Sequence, residues 1–226
     1  MKRTMIMKKR LIILGAPGVG KGTQASRLGA DYGWAHISTG DMLRDAVREE
    51  TQLGCRAKTY MEKGELVPDE LMIGLVGDRF KNRDCQKGFI LDGFPRTVHQ
   101  AEKLDDLLGE LNMDLDDVVN IDVSFDEIVR RLSQRLVCDE CGHVVTTADH
   151  VQEGNECPSC KGRLNRRKDD EPDTVRRRLE VYEKETRSLI RYYQEKSILR
   201  VVDGFGSMDE VFAIILSSLG LTPVRS

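Results

Sequence analysis

The chain has 226 residues, of which 39% are hydrophobic, and a formal net charge of −3. It is long enough to bury one large core with inserted lobes, and its charge argues against a general basic surface for nucleic acid or an anionic membrane. The apolar run after the basic N-terminal segment spans only residues 11–14. Because this run is too short for a secretion signal or a membrane span, we expect a cytosolic protein whose cysteines stay reduced.

The first predicted element is a strand over this apolar run, followed by a glycine-rich turn at residues 15–23 and a helix to Tyr32. This order is typical of a P-loop, because the glycines let backbone N–H groups surround a polyphosphate while Lys21 reaches its terminal groups. Gly22 stands where the usual pattern has Ser or Thr, and the hydroxyl follows at Thr23. The alternative is a glycine-rich turn with a surface lysine.

A second strand is expected at residues 34–37, and the hydroxyl and carboxylate side chains of residues 38–41 suit the start of a helix. Three helices are predicted next, over residues 42–49, 54–63 and 68–80. Because residues 38–67 hold helices without a strand, we interpret them as a lobe inserted into the sheet.

A third buried strand over residues 88–92 ends at Asp92. An acid at this point in a P-loop protein commonly holds Mg²⁺ or its bound waters, and the alternative is a capping aspartate. A helix after Thr97 is expected to pack into the core through four leucines, which are Leu104, Leu107, Leu108 and Leu111.

The remaining predicted elements are a strand at 118–123, a helix at 125–136, a long charged helix at 173–194, a strand at 199–203 and a closing helix between Ser207 and Leu219. Arg131 and Arg135 are four residues apart, so we expect them on one face of their helix. Strands separated by helices predict a parallel α/β sheet covered on both faces, with ligands at the carboxyl ends of the strands.

Two C-x-x-C pairs separated by fifteen residues have the spacing of a four-cysteine zinc site. The expected ligands are Cys138, Cys141, Cys157 and Cys160. Four sulfurs leave no position for water, so the metal is expected to be structural. Iron or cobalt fit the same sulfurs, and His143 or His150 could replace a ligand. The alternatives to a metal site are disulfides or a chance spacing. Cys55 and Cys85 are isolated and are expected to be buried or inert thiols.

From about Lys9 to Leu219 the chain resembles adenylate kinases, in particular the long form with a zinc-containing lid. The motifs that carry this resemblance are GAPGVGKGTQA at the P-loop, STGDMLR from Ser38, GFILDGFPRT from Gly88, RKDDEPDTVRRRL from Arg167 and DG at Asp203. The resemblance implies a P-loop NTPase fold with a five-stranded parallel sheet. It further implies a core over residues 1–37, 68–136 and 171–226, an AMP-binding lobe over 38–67 and a zinc-stapled lid over 137–170.

The resemblance also implies the roles of individual residues. ATP is expected to contact Gly18, Val19, Gly20, Lys21, Gly22, Thr23, Arg131, Arg135 and Gly206. AMP is expected to contact Thr39, Arg44, Glu65, Leu66, Val67, Gly93, Arg96, Gln100, Arg167 and Arg178. The residues expected to act on the transferring phosphoryl group are Lys21, Arg96, Arg131, Arg135, Arg167 and Arg178. Asp92 is expected to hold Mg²⁺ through water, and Asp169 and Asp170 resemble hinge carboxylates.

The implied reaction is ATP + AMP ⇌ 2 ADP, by in-line transfer without a covalent intermediate, serving adenine nucleotide homeostasis. No general base is expected, because the AMP phosphate is already anionic. The implied partners are ATP, AMP, ADP and Mg²⁺, with a monomeric protein and no nucleic acid or membrane. Alternatives are a kinase for another nucleoside monophosphate such as GMP, CMP or UMP, and a non-enzymatic module that binds nucleic acid or a partner through a basic patch of Arg163, Arg166, Arg167 and Lys168. Translation could begin at Met1 or at Met7.

Overall fold

The computed structural model describes residues 9–224, apart from the side chain of Asp149, so Met1 and Met7 lie outside the described residues. The strands are β1 (Arg10–Leu14), β2 (Ala35–Ser38), β3 (Phe89–Asp92), β4 (Asp117–Asp122), β5 (Arg135–Cys138), β6 (Val144–Thr146), β7 (Leu164–Asn165) and β8 (Leu199–Asp203). The α-helices are α1 (Lys21–Tyr32), α2 (Thr39–Arg48), α3 (Gln52–Glu62), α4 (Asp69–Phe80), α5 (Val98–Glu110), α6 (Phe125–Gln134), α7 (Pro172–Val181), α8 (Ser188–Glu195) and α9 (Met208–Ser218). No helix within residues 9–224 is long and apolar enough to cross a membrane.

Five strands form one parallel sheet in the order β2-β3-β1-β4-β8. The central strand β1 pairs on both sides, so that Ile12 lies opposite Leu91 in β3 and Val118 in β4. All three of these side chains are fully buried. A continuous apolar run is what a central parallel strand requires, because helices cover both of its faces. The predicted α/β fold with five parallel strands is confirmed.

Alternate side chains of β1 enter two different hydrophobic clusters. Leu11 and Ile13 pack with residues from α1, α6, α7 and α9, whereas Ile12 and Leu14 pack with residues from α2 to α5 and from α8. This division follows from the two-residue period of a strand. The carboxyl end of the sheet therefore lies between two layers of helices, and the loops that leave it are held on a rigid support.

Side-chain caps start several of the helices that surround this end of the sheet. Ser38 accepts a hydrogen bond from the backbone N–H of Asp41 at 3.3 Å, as its place before α2 predicts. Thr97 caps α5 in the same way, and Ser207 forms a reciprocal capping box with Glu210 at the start of α9. These contacts explain why the expected helix starts agree with the structure to within a few residues.

The helix predicted at 125–136 is shorter in the structure. It ends at Gln134, and Arg135 has an extended backbone, with φ −74° and ψ 130°, as the first residue of β5. Leu136 is fully buried in the small sheet that contains β5. This burial and strand pairing favour the extended backbone over another turn of helix. The prediction that Arg131 and Arg135 share one helix face is therefore wrong.

The long helix predicted at 173–194 contains a π-helical turn over Tyr182–Thr186, between α7 and α8. Its marker is the hydrogen bond from the backbone N–H of Arg187 to the carbonyl of Tyr182, at 3.0 Å. This wider turn changes the face that the helix buries. Leu179 in α7 joins the first hydrophobic cluster, whereas Leu189 in α8 joins the second.

Residues 135–165 contain a separate three-stranded antiparallel sheet in the order β6-β5-β7. Its hydrophobic cluster consists of Leu136, Cys138, Val145, Cys157 and Leu164, with Val151 packed against it. Two of these six side chains belong to the predicted metal ligands. The small sheet therefore has little apolar material of its own.

One smaller prediction about burial is wrong in part. Leu104 and Leu108 are buried as expected, but Leu111 is 36% exposed because α5 ends at Glu110. Of the two cysteines predicted to be buried or inert, Cys85 is buried and Cys55 is exposed on α3.

Candidate active site and metal centre

The loop between β1 and α1 has the conformation that its glycines allow. Gly15, Gly18 and Gly20 have φ values of 140°, 88° and 100°, a region that residues with a side chain rarely adopt. A Cβ atom on Gly15 would lie 2.6 Å from the carbonyl oxygen of Ile121. The first turn of α1 has neither a side-chain cap nor an acidic residue, so its backbone N–H groups are available to an anion.

Lys21 is folded back over this loop. Its Nζ donates hydrogen bonds to the carbonyl oxygens of Gly15 and Ala16, both at 2.8 Å. Burial lowers the pKa of Lys21 to about 8, against the opposing effect of Asp92 and with a further contribution from nearby arginines. The ammonium group is therefore poorly solvated, and a phosphate anion would be a favourable partner for it.

The glycine at position 22 has a structural reason. A Cβ atom there would lie 3.2 Å from Oδ2 of Asp92, which is tighter than most real contacts. Asp92 is a buried residue at the end of β3, and its carboxylate lies 3.6 Å from Nε2 of His36. The missing side chain therefore leaves room for a carboxylate beside the first turn of α1.

Two connected clefts open at the carboxyl end of the sheet. The first, of about 580 Å³, is lined by apolar side chains such as Leu43, Val67 and Met72 and by Gln100. The second, of about 540 Å³, lies between the P-loop and α7 and includes Lys21 in its lining. Arg96 and Arg178 line both clefts, so one continuous site has an apolar part, a P-loop part and two arginines where the parts meet.

Several arginines surround this junction, and burial together with neighbouring positive charges lowers the pKa values of Arg96, Arg167 and Arg178. Burial lowers the pKa of Arg96 to about 10, with Arg178 as the next cause. The pKa of Arg167 also falls to about 10, through burial and then through Arg44 and Arg135. A cluster of poorly solvated cations is stabilised by a highly charged anion, and the phosphate groups of a nucleotide are such anions.

Two carboxylates partly neutralise the cluster. Asp169 Oδ2 lies 3.0 Å from Nη1 of Arg178 and 3.9 Å from Nη1 of Arg44. Asp170, whose side chain is fully buried, accepts a hydrogen bond from Nε of Arg135 at 2.8 Å. Burial raises the pKa of Asp169, but the charges of the arginines, with Arg178 the strongest, hold it below its usual value. Both carboxylates therefore link the end of the predicted lid to the cleft.

Arg131 makes a different set of contacts. Its guanidinium donates to the carbonyl oxygens of Val19 in the P-loop, at 3.3 Å, and of Gly204 after β8, at 2.9 Å. Gly206 lies in the same loop after β8, with φ 117°. Arg131 thus connects the P-loop to the predicted site of the ATP base, whereas Arg135 lies with the arginines near Asp170.

Seven of the ten residues predicted to contact AMP line the first cleft, and they are Arg44, Glu65, Leu66, Val67, Arg96, Gln100 and Arg178. Gly93 lines the second cleft, and Arg167 lines neither, with its Nη2 3.8 Å from Oδ1 of Asp41. Thr39 is completely buried, and its hydroxyl donates to the carbonyl oxygen of Asp92 at 3.2 Å. Gly93 lies against this hydroxyl, since a Cβ there would be 2.9 Å from it. Thr39 therefore has a protein partner for its hydroxyl hydrogen.

Sequence reasoning missed two groups of cleft residues. The apolar lining from Leu43, Met61 and Met72 looks like ordinary core in the sequence, because nothing distinguishes a ligand-facing apolar residue from a packed one. Tyr182 and Thr186 reach the second cleft through the π-helical turn, which has no clear sequence signal.

The four cysteines of the two C-x-x-C pairs have sulfurs that all lie within 4.8 Å of one another. Sγ of Cys138 is 3.4 Å from that of Cys160, and Sγ of Cys141 is 3.7 Å from that of Cys157. Tetrahedral zinc with bonds of about 2.3 Å places its sulfurs about 3.8 Å apart. All four cysteines are free thiols, and among the described residues no histidine joins the group.

Backbone donors also fit a metal-bound thiolate cluster. The N–H groups of Ser159 and Gly162 each point to a cysteine sulfur, of Cys157 and Cys160 respectively, at 3.4 Å. Such bonds stabilise the negative charge of a thiolate. The donor set is therefore compatible with zinc, and the disulfide alternative does not agree with the structure.

A parallel sheet with a P-loop after its central strand, together with arginines across the cleft, defines a P-loop phosphotransferase that acts on nucleotides. Residues 13–198 match the family model described as adenylate kinase. The chain belongs to the adenylate kinase family, as its motifs predicted, and it is an ATP:AMP phosphotransferase that uses Mg²⁺ with ATP. The non-enzymatic alternative is thereby set aside.

Similar proteins span nearly the whole chain. The adenylate kinase of Thermodesulfovibrio yellowstonii is 52% identical over 212 residues, which cover 93% of this chain and 98% of that protein. The adenylate kinase of Archaeoglobus fulgidus is 51% identical over 205 residues, covering 89% and 94% of the two chains. That of Bacillus pumilus is 49% identical over 213 residues, covering 93% and 97%. The similarity thus extends through both the core and the lid.

Proposed function

We propose that the two connected clefts are the two nucleotide sites and that the phosphoryl group passes between them beside Arg96 and Arg178. The observation that carries this proposal is that these two arginines line both clefts. In this arrangement the terminal phosphate of ATP and the phosphate of AMP meet inside the arginine cluster, and two ADP result.

ATP would be bound by the P-loop residues 18–23, with Arg131, Arg135 and Gly206 as further contacts. The free N–H groups at the start of α1 support this assignment, as does the poorly solvated ammonium of Lys21. In the proposed complex Lys21 exchanges the two carbonyl oxygens of the loop for phosphate oxygens. Its charge then opposes the negative charge of the transferring group.

AMP would lie in the first cleft, with its base among the apolar side chains and its phosphate near the arginines. The residues proposed for this site are Thr39, Arg44, Glu65, Leu66, Val67, Gly93, Arg96, Gln100, Arg167 and Arg178. The separation of an apolar, amide-bearing part from a cationic part supports this orientation, because a nucleotide has the same two parts. We assign this site to the lobe over residues 38–67 and to its neighbours in the core.

The proposed mechanism needs no general base, because the acceptor is a phosphate anion. The protein supplies in-line positioning and cancels charge through Lys21, Arg96, Arg131, Arg135, Arg167 and Arg178. Bound Mg²⁺ would neutralise phosphate oxygens, and Asp92 would hold its waters, which fits a buried carboxylate beside the first turn of α1. Closure of the lid over both nucleotides would exclude water as a competing acceptor.

For the lid, we propose structural zinc bound by Cys138, Cys141, Cys157 and Cys160. The sulfur distances and the small apolar cluster of this sheet support zinc as a staple. Iron or cobalt would fit the same sulfurs, so metal analysis of the purified protein decides among them. We further propose a monomer in the cytosol, where free thiols such as these persist.

The test is ADP formation from Mg-ATP with AMP, GMP, CMP, UMP or no acceptor, together with quantified metal content. Rapid ADP formation with AMP alone supports the assignment of the first cleft to AMP. A preference for another monophosphate would overturn the proposed roles of Thr39 and Gln100. Equal ADP formation without an acceptor would indicate hydrolysis and contradict the proposed exclusion of water.

A further inference from the structure

The side-chain amide of Gln100 makes two hydrogen bonds within the protein, one with a group that can only donate and one with a group that can only accept. Gln100 is 1% exposed and lies at the edge of the first cleft. Its Oε1 accepts a hydrogen bond from the backbone N–H of Arg96 at 2.7 Å, and its Nε2 donates one to Oδ1 of Asp69 at 2.7 Å. A primary amide has two N–H groups and two oxygen lone pairs, so one of each remains for a ligand.

These partners determine which way the amide points. A carboxylate only accepts and a backbone N–H only donates, so the nitrogen must face Asp69 and the oxygen must face Arg96. Turning the amide over would place its oxygen against the carboxylate and its NH₂ group against another N–H. Both hydrogen bonds would then be lost, in a place where solvent cannot replace them.

Asp69 is itself held in position. Its Oδ2 lies 2.8 Å from Nδ1 of His99 and 3.5 Å from the hydroxyl oxygen of Thr97, which leaves Oδ1 for Gln100. Asp69 is the first residue of α4, where the positive end of the helix dipole favours a carboxylate. Asp69 is not part of the cleft lining, so it acts on a ligand only through Gln100.

We propose that Asp69 is a positioning residue that selects the base of the phosphoryl acceptor by fixing the polarity of Gln100. This inference rests on the proposed assignment of Gln100 to the base of AMP. Adenine presents an amine donor beside the N1 acceptor, which matches an amide whose oxygen and N–H keep the orientation described above. Hypoxanthine presents a carbonyl beside an N1–H donor, which matches only the reversed amide.

AMP and IMP make the sharpest pair of probes, because they have nearly the same shape and differ in the polarity of this edge. The experiment measures kcat/KM for AMP and for IMP, with saturating Mg-ATP, in the wild-type enzyme and in Asp69→Leu. We expect the wild-type preference for AMP over IMP to fall by about tenfold or more in Asp69→Leu, since a hydrogen bond to a charged group is lost. We also expect kcat with saturating AMP to stay close to its wild-type value, because Asp69 lines neither cleft.

Two further variants make the test specific. In Asp69→Asn the side-chain oxygen still accepts from Gln100 while its nitrogen faces His99, so we expect most of the preference for AMP to return. Glu70→Leu removes the neighbouring exposed acid from the same first helical turn and is expected to keep the wild-type preference. Asp69→Ala provides the measurement if Asp69→Leu does not fold, as judged by thermal unfolding.

Gln100→Leu separates this inference from the proposed function. If Gln100→Leu keeps the wild-type preference between AMP and IMP, the assignment of Gln100 to the base is wrong. If Gln100→Leu loses the preference while Asp69→Leu and Asp69→Ala both keep it, the AMP site stands and the role of Asp69 is overturned. A fall of similar size in Glu70→Leu would also overturn it, because the effect would then belong to the helix terminus.

Discussion

The core sheet and the lid are stabilised in different ways, although they lie in one chain. The core has five parallel strands with a hydrophobic cluster on each face. The lid has three short antiparallel strands around five buried residues, two of which are cysteines. A unit of this size buries too little apolar surface to offset the loss of chain entropy. Burial therefore stabilises the core, whereas the metal proposed at the four cysteines would supply the stability that the small sheet lacks.

The chemistry follows the same division. The P-loop and Arg96 belong to the predicted core, and the predicted lid meets this site near its C-terminal end, at Arg167, Asp169 and Asp170. Ion pairs there join residues on both sides of the boundary that the sequence predicts at 170, as Asp170 with Arg178 shows. Damage to the core site should therefore stop the reaction and leave the fold intact, whereas damage to the metal centre should unfold the lid first.

The largest effect is expected from Lys21→Met. Methionine has a similar volume but no charge, so turnover should fall by about 10³-fold through loss of charge stabilisation on the transferring group. The thermal unfolding midpoint should change little, because the loss of two hydrogen bonds to the loop carbonyl oxygens is offset by the removal of a poorly solvated charge. Steady-state ADP formation and circular dichroism measure the two quantities. Turnover close to the wild-type value would contradict the role assigned to Lys21.

Loss of the lid metal is expected to have the next largest effect. Cys157→Ser removes a fully buried sulfur and should lower the metal content. It should also produce a separate unfolding transition of the lid at a temperature below that of the core. The matched control is Cys55→Ser, at an exposed cysteine outside the four-sulfur group, which should change neither quantity. Calorimetry and metal analysis test this prediction, and unchanged metal content in Cys157→Ser would contradict it.

A smaller change is expected from Asp170→Asn, at the boundary between the two regions. The fully buried carboxylate pairs with Arg135 and Arg178, so its loss should lower the free energy of unfolding by about 3 kcal/mol. Asp173→Asn alters an exposed acid in the first turn of α7 and should stay within about 0.5 kcal/mol of the wild type. Urea unfolding compares them, and equal effects would remove the special role of the buried pair.

Modest effects are expected from pH. The pKa of Lys21 is about 8 in the folded enzyme, so the protonated fraction of Lys21 falls above that pH. Well above the pKa, this fraction falls about tenfold for each pH unit. Because kcat/KM reports the free enzyme, kcat/KM for Mg-ATP should decline above about pH 8. Lys21→Arg keeps its charge and should show a lower but flat profile over this range. A flat wild-type profile to pH 10 would rule out a deprotonating Lys21 as the limiting group.

The sequence predicted the parts of the molecule in which local pattern and tertiary packing agree. The apolar run of β1, the P-loop glycines and the C-x-x-C spacing each depend on neighbouring residues, so they are visible in the chain itself. Arg135 was misassigned because its helical pattern continues to Leu136, whereas pairing with Thr146 in β6 makes it extended.

The finer features of the site depend on contacts between distant segments. Asp69 reads as an ordinary acid at a helix start, and only its contact with Gln100, 31 residues away, connects it to the base. Similarly, the sequence around the π-helical turn at Tyr182–Thr186 has the pattern of a regular helix. The turn lets α7 and α8 pack into different hydrophobic clusters, and the local sequence pattern does not reveal this packing.

Hydrogen–deuterium exchange with and without a metal chelator tests the central comparison most directly. We expect backbone amides of β5, β6 and β7 to lose protection when the metal is removed, whereas amides of β1, β3 and β4 keep theirs. Loss of protection in β1 together with β5 would contradict it, because the metal would then stabilise the core and the lid as one unit. Unchanged protection in the lid would contradict it equally, since the small sheet would then be stable without the metal.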